Sequence, residues 1–197
     1  MLATTEYPAA TPNPDLPALL IVHGLYGSAR NWGVIARHLA DSRKVLAVDQ
    51  RNHGQSPRAA TQSYADMAAD LAEVIRAQGA PMDVLGHSMG GKAAMQLALT
   101  QPALLRKLVV ADIAPVGYGH DQTQYIAAMR GLDLADLSSR SEADRRLSQL
   151  VDDPALRAFF LQSLDLKAQP PAWRLNLDVL EAEMAQIIGW PGTEGRF

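Results

Sequence analysis

Cysteine is absent from all 197 residues. That excludes disulfides, a thiol nucleophile and thiolate metal sites, and it agrees with a reducing compartment. No stretch approaches the ~18 consecutive apolar residues of a membrane span, so membrane insertion is not expected. The opening, Met1-Leu2-Ala3-Thr4-Thr5-Glu6, has neither the basic nor the apolar segment that directs secretion, and the cytoplasm is the expected setting. Charge is sparse and mixed: 18 Lys and Arg face 21 Asp and Glu, the net charge is -3, and neither sign forms a long run. Nucleic acid is therefore not an expected partner. Repeats, low-complexity tracts, metal-ligand spacings and phosphate-binding glycine loops are missing as well, so no metal or other cofactor is expected. What is present is an ordinary globular composition, 48% hydrophobic and 20% charged, in a length that suits one domain.

Residues 1–16 carry Pro8, Pro12 and Pro14 and read as an extended lead-in with one frayed strand. Leu16 to Val22 is an uninterrupted apolar run, the mark of a strand buried on both faces of a parallel sheet. It ends in His23-Gly24-Leu25-Tyr26-Gly27. Trp32, Ile35 and Leu39 then repeat at helical spacing, and Val45 to Val48 gives a second buried strand that ends in Asp49-Gln50-Arg51-Asn52-His53-Gly54-Gln55-Ser56. Met67, Leu71, Val74 and Ile75 mark a helix with Ser63 as its N-cap and Gly79 as its stop. A third strand, Met82 to Leu85, leads into a helix from about Met89 to Thr100, and Lys107 to Ala111 forms a fourth strand closed by Asp112. This alternation predicts a parallel sheet wrapped by helices, with ligands at the carboxyl ends of its strands. Residues 121–188 show only helical patches, so the spacing predicts a helical cap over 117–188 on a core formed by 1–116. Residues 189–197 have the composition of a linker.

Gly86-His87-Ser88-Met89-Gly90 is the stretch around which the rest is organised. Gly-x-Ser-x-Gly between a strand and a helix is the pattern of a nucleophile elbow, in which serine is held at positive φ and its backbone approaches its neighbours too closely for a Cβ two residues to either side. The pattern alone occurs by chance in roughly one chain of this length in twenty, so its context between a predicted strand and a predicted helix decides. Acyl transfer by serine needs a base, a group that orients the base, and donors for the oxyanion. Ser88 is the expected nucleophile. The Met89 N–H and, from the loop after the first buried strand, the Leu25 N–H are the expected oxyanion donors. His23 and His53 read as structural, hydrogen-bonding loop backbone, and strand alternation should turn His87 away from Ser88.

Together, His23-Gly24-x-x-Gly27, Asp49-x-Arg51-Asn52-His53-Gly54-x-Ser56, Gly86-His87-Ser88-Met89-Gly90-Gly91-Lys92 and Asp112-Ile113-Ala114-Pro115-Val116 resemble the α/β-hydrolase superfamily, in particular its small YbfF-like esterases. The similarity extends from about Leu16 to Trp190 and includes Trp173-Arg174-Leu175-Asn176. The resemblance implies a carboxylesterase or thioesterase without cofactor, acting on a small ester or thioester under a helical lid. It also implies that Asp112 can be the acid of a catalytic triad, although other α/β-hydrolases place that acid one strand later.

One element of the resemblance has no counterpart. The triad histidine follows the last strand of this fold, whereas all five histidines here, His23, His38, His53, His87 and His120, lie before residue 121. The missing strands and helices would need about 40 to 60 residues, so a C-terminally truncated hydrolase is expected, with the catalytic histidine absent and His120 a poor substitute. Such a chain leaves the strand ending at Asp112 as a bare edge open to self-association or to a completing partner. A non-catalytic binding module on the same fold is the rival expectation, and carbon-carbon hydrolysis or peroxidation on the same elbow is a third.

Overall fold

In the computed structural model, which describes residues 1–119 and 121–197, the core is a sheet of five strands. They are β1 (Thr4–Tyr7), β2 (Leu19–Val22), β3 (Val45–Val48), β4 (Met82–His87) and β5 (Leu105–Ala111), in the spatial order β1-β3-β2-β4-β5. β2 to β5 are parallel, and β1 runs antiparallel along β3. Every residue of β2 and β3 is buried because both faces of the sheet are covered. Leu20, Val22, Leu46, Val48 and Val84 share one core with α2 (Tyr64–Ala77) and α3 (Met89–Thr100). Leu19, Ile21, Val45 and Ala47 turn to the other face, against α1 (Gly33–Leu39). Alternation along each strand thus serves two apolar layers, which is why the runs read as continuous; each fully buried aliphatic side chain contributes about 1.5 to 3 kcal/mol.

Helix limits follow the cap chemistry. The Ser63 hydroxyl accepts the Asp66 N–H at the start of α2, and Gly79 follows that helix at φ 78. β5 is one of the two outer strands, opposite β1, and its Arg106, Lys107 and Val109 are exposed, the last at 52%.

The cap comprises α4 (Thr123–Gly131), α5 (Arg140–Leu147), α6 (Pro154–Leu161), α7 (Leu177–Ala182) and α8 (Met184–Ile188). It also holds a small antiparallel ladder, β6 (Leu164–Asp165) with β7 (Ala172–Trp173), where a purely helical segment was expected. Two paired residues a side are too few to produce alternation in sequence. The Trp173-Arg174-Leu175-Asn176 stretch fastens this part of the cap. Trp173 Nε1 donates to Met129 O at 2.8 Å, and Asn176 joins Asn52 in the core through its backbone N–H and its side chain, both at 2.9 Å. Residues 190–197 are irregular and lie along α3: Thr193 Oγ1 donates to Gln96 Oε1 at 2.6 Å, and Gly195 passes beside Leu99.

Each parallel strand is followed, within four residues, by a non-glycine residue at positive φ: Tyr26 (62°) after β2, Asn52 (63°) after β3, Ser88 (51°) after β4 and Asp112 (56°) after β5. Each such residue costs on the order of 1 to 3 kcal/mol.

Candidate active site

The turn from β4 into α3 passes through Ser88 at φ 51° and ψ −124°, and the chain around it is packed backbone on backbone. A Cβ on Gly86 would lie 2.4 Å from Gly90 O, and one on Gly90 would lie 2.4 Å from His23 O and 2.5 Å from Val22 O. Both glycines are therefore required by contact. The Ser88 carbonyl accepts the N–H groups of Gly91 (2.8 Å) and Lys92 (3.1 Å), which starts α3 immediately after the serine. Met89 is the first residue of that helix, so its N–H has no intrahelical acceptor.

Ser88 and Met89 form part of the wall of a cavity of about 450 Å³. Leu25 lines it from the loop after β2, and Gly24 is close enough that a Cβ there would meet Ser88 Cβ at 3.0 Å. The cap supplies an apolar wall that includes Tyr125, Leu156, Phe159 and Phe160, and the core adds Trp32 and Ile35. Phe160 stands edge-on to Tyr26 with ring centres 5.7 Å apart. A mostly apolar chamber whose wall includes Ser88 and the first residue of a helix suits an uncharged ligand with a single polar centre.

The loops after β2 and β3 are locked to each other through two neutral histidines. The Gln50 N–H donates to His23 Nε2 at 2.9 Å, which leaves the His23 ring proton on Nδ1 for the Gly24 carbonyl at 2.7 Å. The Tyr26 N–H donates to His53 Nε2 at 3.2 Å, and His53 Nδ1 pairs with Arg51 O at 2.8 Å. Burial lowers the pKa of His23 to about 4, and burial together with the neighbouring His23 ring lowers that of His53 to about 3. Below them, Asp49 accepts the N–H groups of Ala29 (2.7 Å) and Gln55 (2.8 Å). The structural reading of His23 and His53 is thus met in detail. The supporting role of Asp49, Gln50 and Asn52 was missed, although a polar run directly after a buried strand signals it.

The remaining residues divide. Asp112 ends β5 as expected but is exposed, makes no hydrogen bond to the described residues and does not line the cavity, whereas its neighbour Ile113 does. His38 is exposed on α1. His87 corrects the expectation from alternation: it lines the same cavity as Ser88, with its ring 5.9 Å from that of Trp32. The left-handed turn at Ser88 interrupts the alternation at that point. His120 lies outside the described residues. No described histidine is hydrogen-bonded to the Ser88 hydroxyl. Among the described residues no group of three or more His, Cys, Asp or Glu could hold a metal ion. No helix of the described residues is long and apolar enough to cross a membrane.

Comparison with known proteins gives the same architecture. The chain is 40% identical over 185 residues to the sn-1-specific diacylglycerol lipase ABHD11 of Mus musculus, covering 89% of this chain and 60% of that one. It is 38% identical over 176 residues to the esterase YbfF of Escherichia coli, covering 87% of this chain and 67% of that one. The solved structure of a marine microorganism esterase superposes with a TM-score of 0.89 at 36% identity, covering 98% of this chain and 76% of that one. The chain thus spans about 60% of the length of the first of these relatives. The sequence model of the alpha/beta hydrolase fold matches residues 17–190, from the strand before His23 to the end of the cap, and the chain belongs to that family.

Proposed function

We propose that this chain carries the nucleophile of a serine hydrolase that cleaves small carboxylic esters or thioesters through an acyl-enzyme intermediate. The supporting observation is the strained Ser88 turn, a nucleophile elbow in form, in the wall of an apolar cavity that Leu25 and Met89 also line. In this reading the Ser88 hydroxyl attacks the acyl carbon, and the Leu25 and Met89 N–H groups hold the oxyanion. The alcohol or thiol departs with a proton, and water then releases the acid. Asp112 would orient the base from the end of β5. The relatives named as esterases and as a diacylglycerol lipase support ester chemistry. The locked His23–His53 pair supports a pre-formed oxyanion loop, since it fixes the backbone on both sides of Leu25. Each oxyanion donor is worth about 2.7 to 4 kcal/mol in such enzymes.

Among the described residues no histidine is hydrogen-bonded to Ser88 as its base. Both ring nitrogens of His23 and His53 are engaged, so neither can take the Ser88 proton without breaking a loop contact. Weak or absent turnover by this chain alone is therefore part of the reading, and a binding module that uses the same cavity is the second reading that this observation favours. Self-association through the exposed edge of β5 belongs to the proposal as well. Hydrolysis of a short aryl ester, and labelling by a fluorophosphonate, are to be compared for the native chain and Ser88→Ala. Loss of both signals in the variant supports the hydrolase; equal rates and equal labelling overturn it.

A further inference from the structure

The buried side of α3 is alanine-rich and carries one cation. Lys92 is 1% exposed, follows Ser88 by one helical turn and lines the same cavity. Among the described residues no carboxylate pairs with it. Its Nζ instead donates to the carbonyl oxygens of Ile188 (3.0 Å) and Gly189 (2.5 Å) and lies 4.8 Å from the ring centre of Tyr118 and 5.8 Å from that of Tyr64. Ile188 ends α8 and Gly189 is its C-cap, so both carbonyls are ones that the helix itself leaves unpaired and that carry its negative end. The same point gathers further bonds. The Tyr118 N–H donates to Ile188 O at 2.9 Å, the Tyr118 hydroxyl accepts the Ala114 N–H at 3.0 Å, and the Tyr64 hydroxyl donates to Ile187 O at 2.5 Å. The two crossings of the chain between core and cap, at 114–118 and 187–189, therefore converge on one amine. Burial opposes its charge and lowers its pKa. A methionine or leucine would fill the space without that cost, so packing alone does not account for a lysine.

We infer that Lys92 is a positioning residue whose ammonium clamps both crossings of the cap to α3, so that the seat of the cap over the cavity is set from the helix that carries Ser88. The clamp stands on geometry; its effect on turnover rests on the hydrolase reading above. The geometry of Ser88 depends on Gly86 and Gly90, whereas the cap supplies the Phe159 and Phe160 wall. Loosening the clamp therefore weakens binding more than it disturbs the serine.

Peptide-resolved hydrogen exchange tests this. Because the chain has no cysteine, Lys92→Cys creates a unique thiol that 2-bromoethylamine in denaturant converts into a sulfur analogue of lysine, followed by refolding beside identically treated native chain. Lys92→Met and unmodified Lys92→Cys are expected to exchange about 10-fold faster than the native chain over 114–119 and 184–190, with β2 to β4 unchanged. Aminoethylation is expected to restore the native rates. Lys92→Arg, a cation that needs no refolding, is expected to stay closer to native than Lys92→Met. Unchanged exchange in Lys92→Met, a uniform rise across the sheet, no restoration by aminoethylation, or the reverse order of arginine and methionine each overturns the clamp. Where ester turnover is measurable, Lys92→Met is expected to raise KM about 3- to 10-fold while kcat stays within about 2-fold. Equal fluorophosphonate labelling of the native chain and Ser88→Ala counts against the hydrolase reading, and the exchange rates still decide the clamp.

Discussion

Replacing Gly90 with alanine would place a methyl group against backbone that has nowhere to go. Its Cβ would stand 2.4 Å from His23 O, 2.5 Å from Val22 O and 2.8 Å from Val22 C, where ordinary contact begins at 3.4 Å. The first turn of α3 must then back away from β2 by about 1 Å, the difference between those distances. Overpacking typically costs about 1 to 3 kcal/mol, and the upper end applies when the obstructing atoms are backbone of a central strand. For a chain of this size each kcal/mol lowers Tm by about 2 to 4 °C, so Gly90→Ala is expected to melt roughly 6 to 12 °C below the native chain. The same displacement carries Ser88 with it, and a shift of about 1 Å at a reacting group can cost on the order of 100-fold in rate. Thermal melts of Gly90→Ala beside Gly119→Ala, where nothing lies within 4 Å of the added Cβ, isolate the contact from the loss of a glycine. A Gly90→Ala chain that melts within about 2 °C of native would refute the argument.

Two further outcomes follow from the same interior. His23 and His53 are buried with pKa values of about 4 and about 3, below their ordinary 6.5, so the unfolded chain binds more protons between those values. Stability is fully present above pH 6.5 and is lost as pH falls toward 4, by up to about 2.7 kcal/mol per pH unit when both rings titrate. Urea midpoints that do not change between about pH 7 and pH 5 would sink this, and His53→Gln should show a shallower fall. Phe160→Ala removes a ring that is 1% exposed and packs on Tyr26 and Tyr125, at an expected cost of about 3 to 5 kcal/mol. It also enlarges the cavity, so a chain-length series of aryl esters should shift toward longer acyl groups; an unchanged series would separate this wall from substrate choice.

The parallel strands were legible because burial on both faces leaves an unbroken apolar run, and the Ser88 turn because only glycine satisfies the contacts at 86 and 90. What could not be read was everything set by distant partners. Lys92 stood in the sequence as the end of a motif, since its ligands are carbonyls nearly a hundred residues away. Asn52 likewise gives no local hint that it meets Asn176 of the cap. His87 was misplaced because alternation is a rule for extended backbone, and the turn at Ser88 ends the strand abruptly. The short β6–β7 ladder escaped because two residues a side carry no period.

The left-handed residues that close β2, β3, β4 and β5 concentrate conformational cost at one edge of the sheet. For anyone seeking a hardier version of this protein, that edge is the tempting target and the wrong one. Glycine at Tyr26 or Ser88 would relax the backbone, yet it would also remove a cavity wall or the proposed nucleophile itself. Stabilising changes belong at the opposite rim, where the strands begin and the Arg43–Asp83 pair leaves Arg43 Nε and Asp83 Oδ1 without partners among the described residues. An apolar pair of matching shape in that position should harden the fold and leave the chemistry of the other edge untouched.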